Sequence, residues 1–343
     1  MTTHYDLVTG REVRPEELGR AEARLGVVKV PDERLPRIAE IFGSAKTTPP
    51  EITFVDCMAL HRGDEHTARD DSLTKVAGDA DAFVLVTQCF GDLDHQGNPL
   101  SPASDLEALL LEMTITDLGV VERRLGRIEA ELKASRDKVS VERDLLARVN
   151  EHLSAGGLVR DMQLHEDEER MLRGFNLLTS KPLLVVFNVS EEDLRAETCT
   201  GACRVAEQAG LRWMAVGAAL EQEIAALDEA SAAEFLAEFG LQAPARQRLI
   251  RACYELLDVI TYFTANENEA RGWTISSGAT VREAAGKVHS DMSEGFIRAE
   301  VIPFERLHEL GSIAACKEAG CVRLEGRDYL VQDGDIIQVR FSR

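Results

Sequence analysis

Apolar residues gather in five short segments along the front part of the chain: Gly26–Val30, Ile52–Cys57, Ala82–Phe90, Pro182–Val189 and Trp213–Gly217. Within them F-V-L-V and L-L-V-V-F run apolar without alternation. That is the pattern of strands in a parallel sheet whose faces are both covered by helices. Helical stretches lie between most of these segments; one, Arg34–Phe42, follows Pro31. The alternation predicts an α/β, doubly wound fold.

Between the third and fourth strands the period changes. Leu118, Val121, Leu125, Ile128 and Leu132 recur at alternating steps of three and four, a heptad seam. After a break at Lys133–Lys138, Val139, Leu146, Val149 and Leu153 form a second stripe, ended by Gly156-Gly157. Two such helices joined by a short turn predict an antiparallel hairpin. The stripes are narrow and their flanks charged, so a projecting coiled-coil arm is expected in preference to two helices laid on the domain body.

A second helical block is expected from Glu221 to about Thr264. In it Ser231 and Glu234 have capping-box spacing, Gly240 fits a helix stop, and Leu249, Cys253, Leu256 and Ile260 mark an apolar face. Beyond it the chain reads strand (Ala270–Ile275), helix (Thr280–Met292), strand (Phe296–Ile302), helix (Pro303–Ala319) and strands (Cys321–Leu324, Tyr329–Val331, Ile336–Phe341). Thr280 with Glu283 is a second capping-box pattern, and Asp333-Gly334 is a turn signal. A small mixed sheet gripping one helix is a β-grasp arrangement.

Composition narrows the class of protein. The 343 residues have room for two or three domains, at an ordinary 44% apolar content. No apolar run approaches the roughly 18–20 residues that span a bilayer, and the N-terminus lacks a signal peptide's apolar stretch. The expectation is a cytoplasmic protein with no membrane partner. A net charge of −21 disfavours non-specific binding to DNA, which rests on Lys and Arg neutralising phosphates. Seven Cys, an odd number, read as reduced thiols. Cys199 with Cys203 and Cys316 with Cys321 lack the C-x₂-C spacing of a zinc site, so no metal is expected.

No G-x-x-x-x-G-K-[ST] occurs in the chain. That loop cradles phosphates on backbone N–H groups, reaches them with a Lys and offers a hydroxyl to Mg²⁺. Other motifs are nevertheless recognisable. The run from TYFTANENEARGW to FIRAEVIPFE, followed by KEAG, LEGRDYLVQDGD and VRF, closely resembles the C-terminal region of the YchF/Obg-like ATPase family. In that family this region contains a TGS domain, a ubiquitin-like β-grasp module. Upstream, GVVKVPDERLPRIAEIF resembles the stretch after the family's switch I, ITFVD its third-motif strand, FNVSE its base-recognition N-x-x-E, and Trp213–Glu223 its fifth-motif strand and helix. The hairpin sits where the family has its coiled-coil arm.

The resemblance implies a degenerate P-loop GTPase-like α/β domain over 1–104 and 158–260, a helical arm over 105–157 and a TGS domain over 261–343. It would make Asn188 and Glu191 the base-reading pair, Glu191 taking the place of the usual Asp, with Gly217 and Ala218 completing the pocket. The phosphate side departs from the family. Met1–Leu18 holds no phosphate loop, and Arg20, in Gly19–Arg24, falls at the Mg²⁺-binding Thr. D-x-x-G has become Asp56-Cys57-Met58-Ala59, and the Gly-rich switch II is replaced by the charged run His61–Ser72. Met1–Thr9 would replace the family's first strand, or a partner would cover the gap. Asp56, His61 and His66 read as solvated loop residues, because a general base needs a positioned substrate.

The expectation is therefore a pseudo-ATPase with no catalytic residues and no resident cofactor, binding ATP or GTP with Mg²⁺ weakly. Its implied partner is the ribosome or a translation-associated protein or RNA; the sequence carries no signal of oligomeric state. Two alternatives stand beside it. One is a residual hydrolase in which Arg20 and Arg24 supply phosphate-side charge. The other is a small-ligand or RNA sensor working through Arg271, Lys287, His289 and Arg298 of the TGS domain.

Overall fold

A computed structural model describes residues 24–56, 78–94, 97–132, 138–196 and 201–342. Its first elements are β1 (Arg24–Lys29), α1 (Arg34–Phe42), β2 (Lys46–Thr48), β3 (Glu51–Asp56) and β4 (Phe83–Cys89). The long pair α2 (Pro102–Leu132) and α3 (Lys138–Ser154) follows, then α4 (Glu166–Arg173), β5 (Leu183–Val189), α5 (Glu191–Ala196), α6 (Ala202–Gln208) and β6 (Arg212–Val216). Next come α7 (Ala218–Ala225), α8 (Glu229–Glu238), α9 (Ala245–Leu257), β7 (Val259–Ala265) and β8 (Glu269–Ser276). The C-terminal elements are α10 (Val281–Val288), α11 (Ser290–Glu294), β9 (Phe296–Pro303), α12 (Phe304–Leu310), α13 (Ile313–Glu318), β10 (Arg323–Glu325) and β11 (Asp335–Phe341).

The contacts divide the chain into two compact units, Met1–Leu25 with Val55–Arg246 and Gly26–Phe54 with Gln247–Arg343. The first is built on a parallel sheet in the order β4-β5-β6. Leu183, Leu184, Val185, Val186 and Phe187 of β5 are all buried, which accounts for that strand's unbroken apolar run. Helices supply the cover: Leu106 and Met113 of α2, Ala202 and Ala206 of α6, Leu220 and Ile224 of α7, and Leu236 of α8 with Phe239 just after it join the same core. The helical hairpin is formed by α2 and α3. Val121 and Ile128 meet Leu146, Val149 and Leu153 along the expected seam. That core also takes in Val159, Leu172 and Leu177, so the seam is closed by the segment after the hairpin as well as by its own two helices.

The second unit is a mixed six-stranded sheet in the order β10-β9-β11-β7-β8-β2. Consecutive residues of β7 point to opposite faces, as strand geometry requires. Tyr262 enters a core with Ile275, Val281, Ala284, Ala299, Val301 and Ile337, gripped by α10. Phe263 enters the other, with Leu35 and Ile38 of α1, Ile302, Leu307 of α12, Cys316 of α13 and Ile336. Burying Leu35 and Ile38 contributes on the order of 3–6 kcal/mol, an upper figure because unfolded chains already bury some surface. At the same place β2 pairs in parallel with β8, Lys46 opposite Glu269. Arg34 adds a polar tie: its Nε donates to Asp32 Oδ1 at 2.9 Å and its Nη1 to Asp333 Oδ2 at 2.6 Å, with the guanidinium over the Phe263 ring.

Several expectations are changed by this packing. All five apolar segments are strands, but β1 and β3 pair in a two-stranded sheet of their own, apart from the parallel β4-β5-β6. The sequence reading groups Gly26–Phe54 with the α/β domain; the contacts group it with the C-terminal sheet, because the apolar face of α1 is spent there. The helix expected to reach Thr264 stops at Leu257, and 259–265 is the strand β7. Asp258 takes a left-handed φ of 48° at the junction, and V-I-T-Y-F-T is rich in β-branched and aromatic residues. Asp228, rather than Ser231, caps α8, accepting the N–H groups of Ala230 and Ser231. The helix Thr280–Met292 breaks at His289, and Pro303–Ala319 breaks at Gly311-Ser312. Tyr329–Val331 forms only a bridge from Leu330 to Thr280. The Thr280–Glu283 capping box is present as expected.

Candidate functional site

In an open parallel sheet, ligands bind beyond the carboxyl ends of the strands. The corresponding row here holds two amides: Gln88 of β4 lies opposite Asn188 of β5, and Asn188 opposite the buried Val216 of β6. Gln88 Nε2 donates to Phe90 O at 3.0 Å and to Leu93 O at 3.2 Å, ordering the loop after β4.

Asn188 does not cap the helix that follows it. Ser190 does so, its Oγ accepting Asp193 N–H at 3.1 Å and donating to Asp193 Oδ2 at 2.8 Å. Asn188 Oδ1 accepts the Ala218 N–H at 3.2 Å, tying the end of β5 to the first residue of α7. Gly217, just before α7, is needed there for close approach. A Cβ at this position would stand 3.2 Å from Leu194 Cδ2, tighter than ordinary contact, so a larger residue requires the Leu194 side chain to give way.

The structure thus brings Asn188, Gly217 and Ala218 together. Glu191 is exposed at the first position of α5, one turn before the buried Leu194. Glu191, Glu192 and Asp193 also suit the positive end of the helix dipole. Three residues of this region escape sequence reasoning: Gln88, Ser190, and Glu221, which is buried although it lies one turn into α7. A polar residue at the same distance from the end of two apolar strands is the signal that points to Gln88.

The segment leading into β5, at the end of the strand away from Asn188, is braced from α2. Asp117 is buried and accepts three hydrogen bonds, from Leu178 N–H and Thr179 N–H at 2.8 Å and from Thr179 Oγ1 at 2.6 Å. Burial pushes its carboxyl above the ordinary range, and the bonds from Thr179 and Leu178 pull the other way.

Other residues singled out in the sequence are placed separately. Asp56 ends β3 half-buried, while Arg20, 57–59, His61, His66 and 1–9 lie outside the described residues, as does the side chain of Arg24. Arg271 stacks on Trp273, its guanidinium carbon 4.2 Å from the ring centre. Lys287 lines an open cleft of about 430 Å³ with Ile275–Ala279 and Glu283. His289 Nδ1 accepts the Asp291 N–H, and Arg298 lies opposite Arg340 in the β9–β11 pairing. Among the described residues no group of three His, Cys, Asp or Glu could hold a metal ion, and no helix is long and apolar enough to cross a membrane.

Residues 259–342 match the family YchF-GTPase_C, described as a protein of unknown function (DUF933). The chain is 36% identical over 325 residues to the ribosome-binding ATPase YchF of Haemophilus ducreyi, covering 94% of this chain and 90% of that protein. It is 35% identical over 329 residues to the protein of the same name from Bacillus subtilis, with the same shares covered. The structure of the Schizosaccharomyces pombe YchF GTPase superposes with a TM-score of 0.85 at 22% identity, over 99% of this chain and 94% of that one, a likeness of fold. On the extent and identity of these matches, the chain belongs to the YchF family.

Proposed function

We propose that this chain binds the ribosome, as the names of its relatives state for those proteins, and has lost efficient nucleotide hydrolysis. The observation that carries the second part is Asp56-Cys57-Met58-Ala59 in place of D-x-x-G. A Gly there lets backbone approach a γ-phosphate; Ala59 adds a side chain at that point. Two neighbouring changes support the same reading. Arg20 stands where a Thr would hold Mg²⁺, and a guanidinium has no lone pair to offer a metal. The charged run His61–Ser72 replaces a flexible Gly-rich switch. All three changes are internal to the chain.

The base side is better kept. Asn188, Glu191, Gly217 and Ala218 would hold a purine, the amide nitrogen of Asn188 and the carboxylate of Glu191 facing its edge. Without strong phosphate contacts, ATP or GTP with Mg²⁺ would bind only weakly, since those contacts supply most of the affinity. The hairpin, read as a coiled-coil arm, and the C-terminal region, read as a TGS domain, are the surfaces proposed to meet the ribosome.

The test is co-sedimentation with purified ribosomes alongside ATP and GTP turnover, with and without ribosomes. We expect the chain to pellet with ribosomes while turnover stays at background. Ribosome-stimulated turnover would overturn the loss of hydrolysis; failure to pellet at any nucleotide state would overturn the ribosome reading.

A further inference from the structure

The two cysteines nearest the C-terminus are placed by a helix ending. After α13 the chain turns through Gly320, whose φ of 67° is left-handed. Cys321 N–H bonds Cys316 O at 2.8 Å, and Gly320 N–H bonds Lys317 O at 3.1 Å. These are the paired bonds of a Schellman motif, which sets the residues joined by the longer loop on one side of the helix end, and both border the same core. Here both of those residues are thiols.

Their surroundings differ. Cys316 is fully buried among Leu307, Ile302 and Ile336, whereas Cys321 is half-buried at the edge of the same core. Arg306 of α12 touches both. Its Nε donates to Cys321 Sγ at 3.4 Å, and its carbonyl oxygen accepts from Cys316 Sγ at 3.9 Å. Arg306 Nη1 also pairs with Glu309 on the same helix. Cys321 Sγ thus accepts from a guanidinium N–H on one side and lies 3.8 Å from Ala319 O on the other, at a position that reagents can reach. Burial, with the neighbouring Cys321 sulfur, pushes the Cys316 thiol up and keeps it protonated. Cys253 offers a contrast: burial alone pushes it up to about 12, and it is shielded from reagents.

We propose that Cys321 and Cys316 are a peroxide-responsive dithiol, with Cys321 the attacking and Cys316 the resolving sulfur. In the first step the Cys321 thiolate attacks a peroxide oxygen, the O–O bond breaks, and hydroxide leaves to take up a proton as water. Cys321 is then a sulfenic acid. In the second step the Cys316 sulfur attacks the Cys321 sulfur, the S–O bond breaks, and the hydroxyl leaves as water with the thiol proton. One peroxide is reduced to two waters and one dithiol is oxidised to a disulfide.

Lys317 lies between the two cysteines, so trypsin separates them unless a disulfide joins the pieces. The full chain is treated with limiting hydrogen peroxide, remaining thiols are alkylated, and tryptic peptides are weighed. The expected product is a linked pair carrying Cys316 and Cys321, abolished by dithiothreitol. Cys316→Ser should instead accumulate a dimedone adduct on Cys321. Arg306→Leu, which removes the N–H that contacts Cys321 Sγ, should slow formation of the linked pair severalfold. The proposal fails if the wild-type chain gives no linked pair under conditions that oxidise free glutathione. It fails equally if dimedone labels the cysteines evenly in Cys316→Ser. The wild-type measurement stands even if a variant does not fold.

Discussion

The two units are held by different means. In the parallel-sheet unit one strand, β5, is buried along nearly its whole length, and the turns at its two ends rest on polar contacts: Asn188 to Ala218 and Ser190 with Asp193 after it, Asp117 with Leu178 and Thr179 before it. In the C-terminal unit both faces of the six-stranded sheet are packed, and α1 and β2 from near the N-terminus complete it. On the function proposed above, the same division separates what is kept from what is changed. The long C-terminal motifs fall in the sheet packed on both faces; Arg20, Ala59 and His61–Ser72 fall at positions that, by resemblance, would hold phosphate. A residue that packs on two sides is constrained by stability whatever the protein does. A residue that only contacts ligand is free to change once the ligand step is lost.

The hardest test of that contrast is turnover. Phosphoryl transfer rests on positioning and charge neutralisation, and removing such contacts typically costs about 10³-fold or more. ATP hydrolysis by this chain is expected to lie at least about 10³-fold below that of the Bacillus subtilis relative measured beside it. Comparable rates would break the comparison at its functional end, because the changed motifs would then not be relaxed.

The second test uses the two tryptophans, Trp213 in β6 and Trp273 in β8, one in each unit. In a Trp213→Phe background fluorescence reports the C-terminal unit; in a Trp273→Phe background it reports the parallel-sheet unit. Ile38→Ala removes a fully buried side chain from the core shared with Phe263 and Leu307. It should cost about 2–5 kcal/mol in urea unfolding, seen by Trp273 and not by Trp213. A loss seen by Trp213 instead would place α1 with the other unit.

How much of this was legible varies with what each residue answers to. The helix Arg34–Phe42 is legible from its place after Pro31 between apolar segments, and the strand Pro182–Val189 from an unbroken apolar run. The partner of α1 is not, because an amphipathic stripe records that a face is buried and not against what. The strand β7 was hidden by coincidence: Ile260 falls at helical spacing from Leu256, so the stripe seems to continue past Asp258, where the backbone turns left-handed. At the candidate site Asn188, Glu191, Gly217 and Ala218 are named through the resemblance, and the structure brings the first, third and fourth of them together. Ser190 and Gln88 are not named, since their work is done through backbone contacts that leave no period in the sequence.

Asp117→Asn probes the polar side of the contrast. The carboxylate accepts three hydrogen bonds, and an amide would turn a donor toward one of those N–H or O–H groups. The expected loss is about 1–3 kcal/mol, now seen by Trp213 and not by Trp273. Because burial holds this carboxyl above its unfolded value, the folded state binds the extra proton in that window. Asp117's own contribution therefore declines as pH rises through it.

The smallest effect concerns the cap of α10. Glu283 closes the capping box by accepting the Thr280 N–H at 2.7 Å and the Thr280 Oγ1 at 2.8 Å. The backbone N–H, then the hydroxyl, hold its carboxyl below the usual carboxylate range. A folded value below the unfolded one means that the charge stabilises the fold above about pH 4.3 and that this contribution is lost as pH falls further. Glu283→Gln keeps an acceptor and removes the charge, so it should cost about 0.5 kcal/mol at neutral pH. The gap to wild type, read through Trp273, should close as the pH is lowered toward the folded value of Glu283. A gap that persists in acid would mean that the side chain acts through packing instead of charge. The C-terminal unit would then owe even its helix cap to the packing that sets it apart from the parallel-sheet unit.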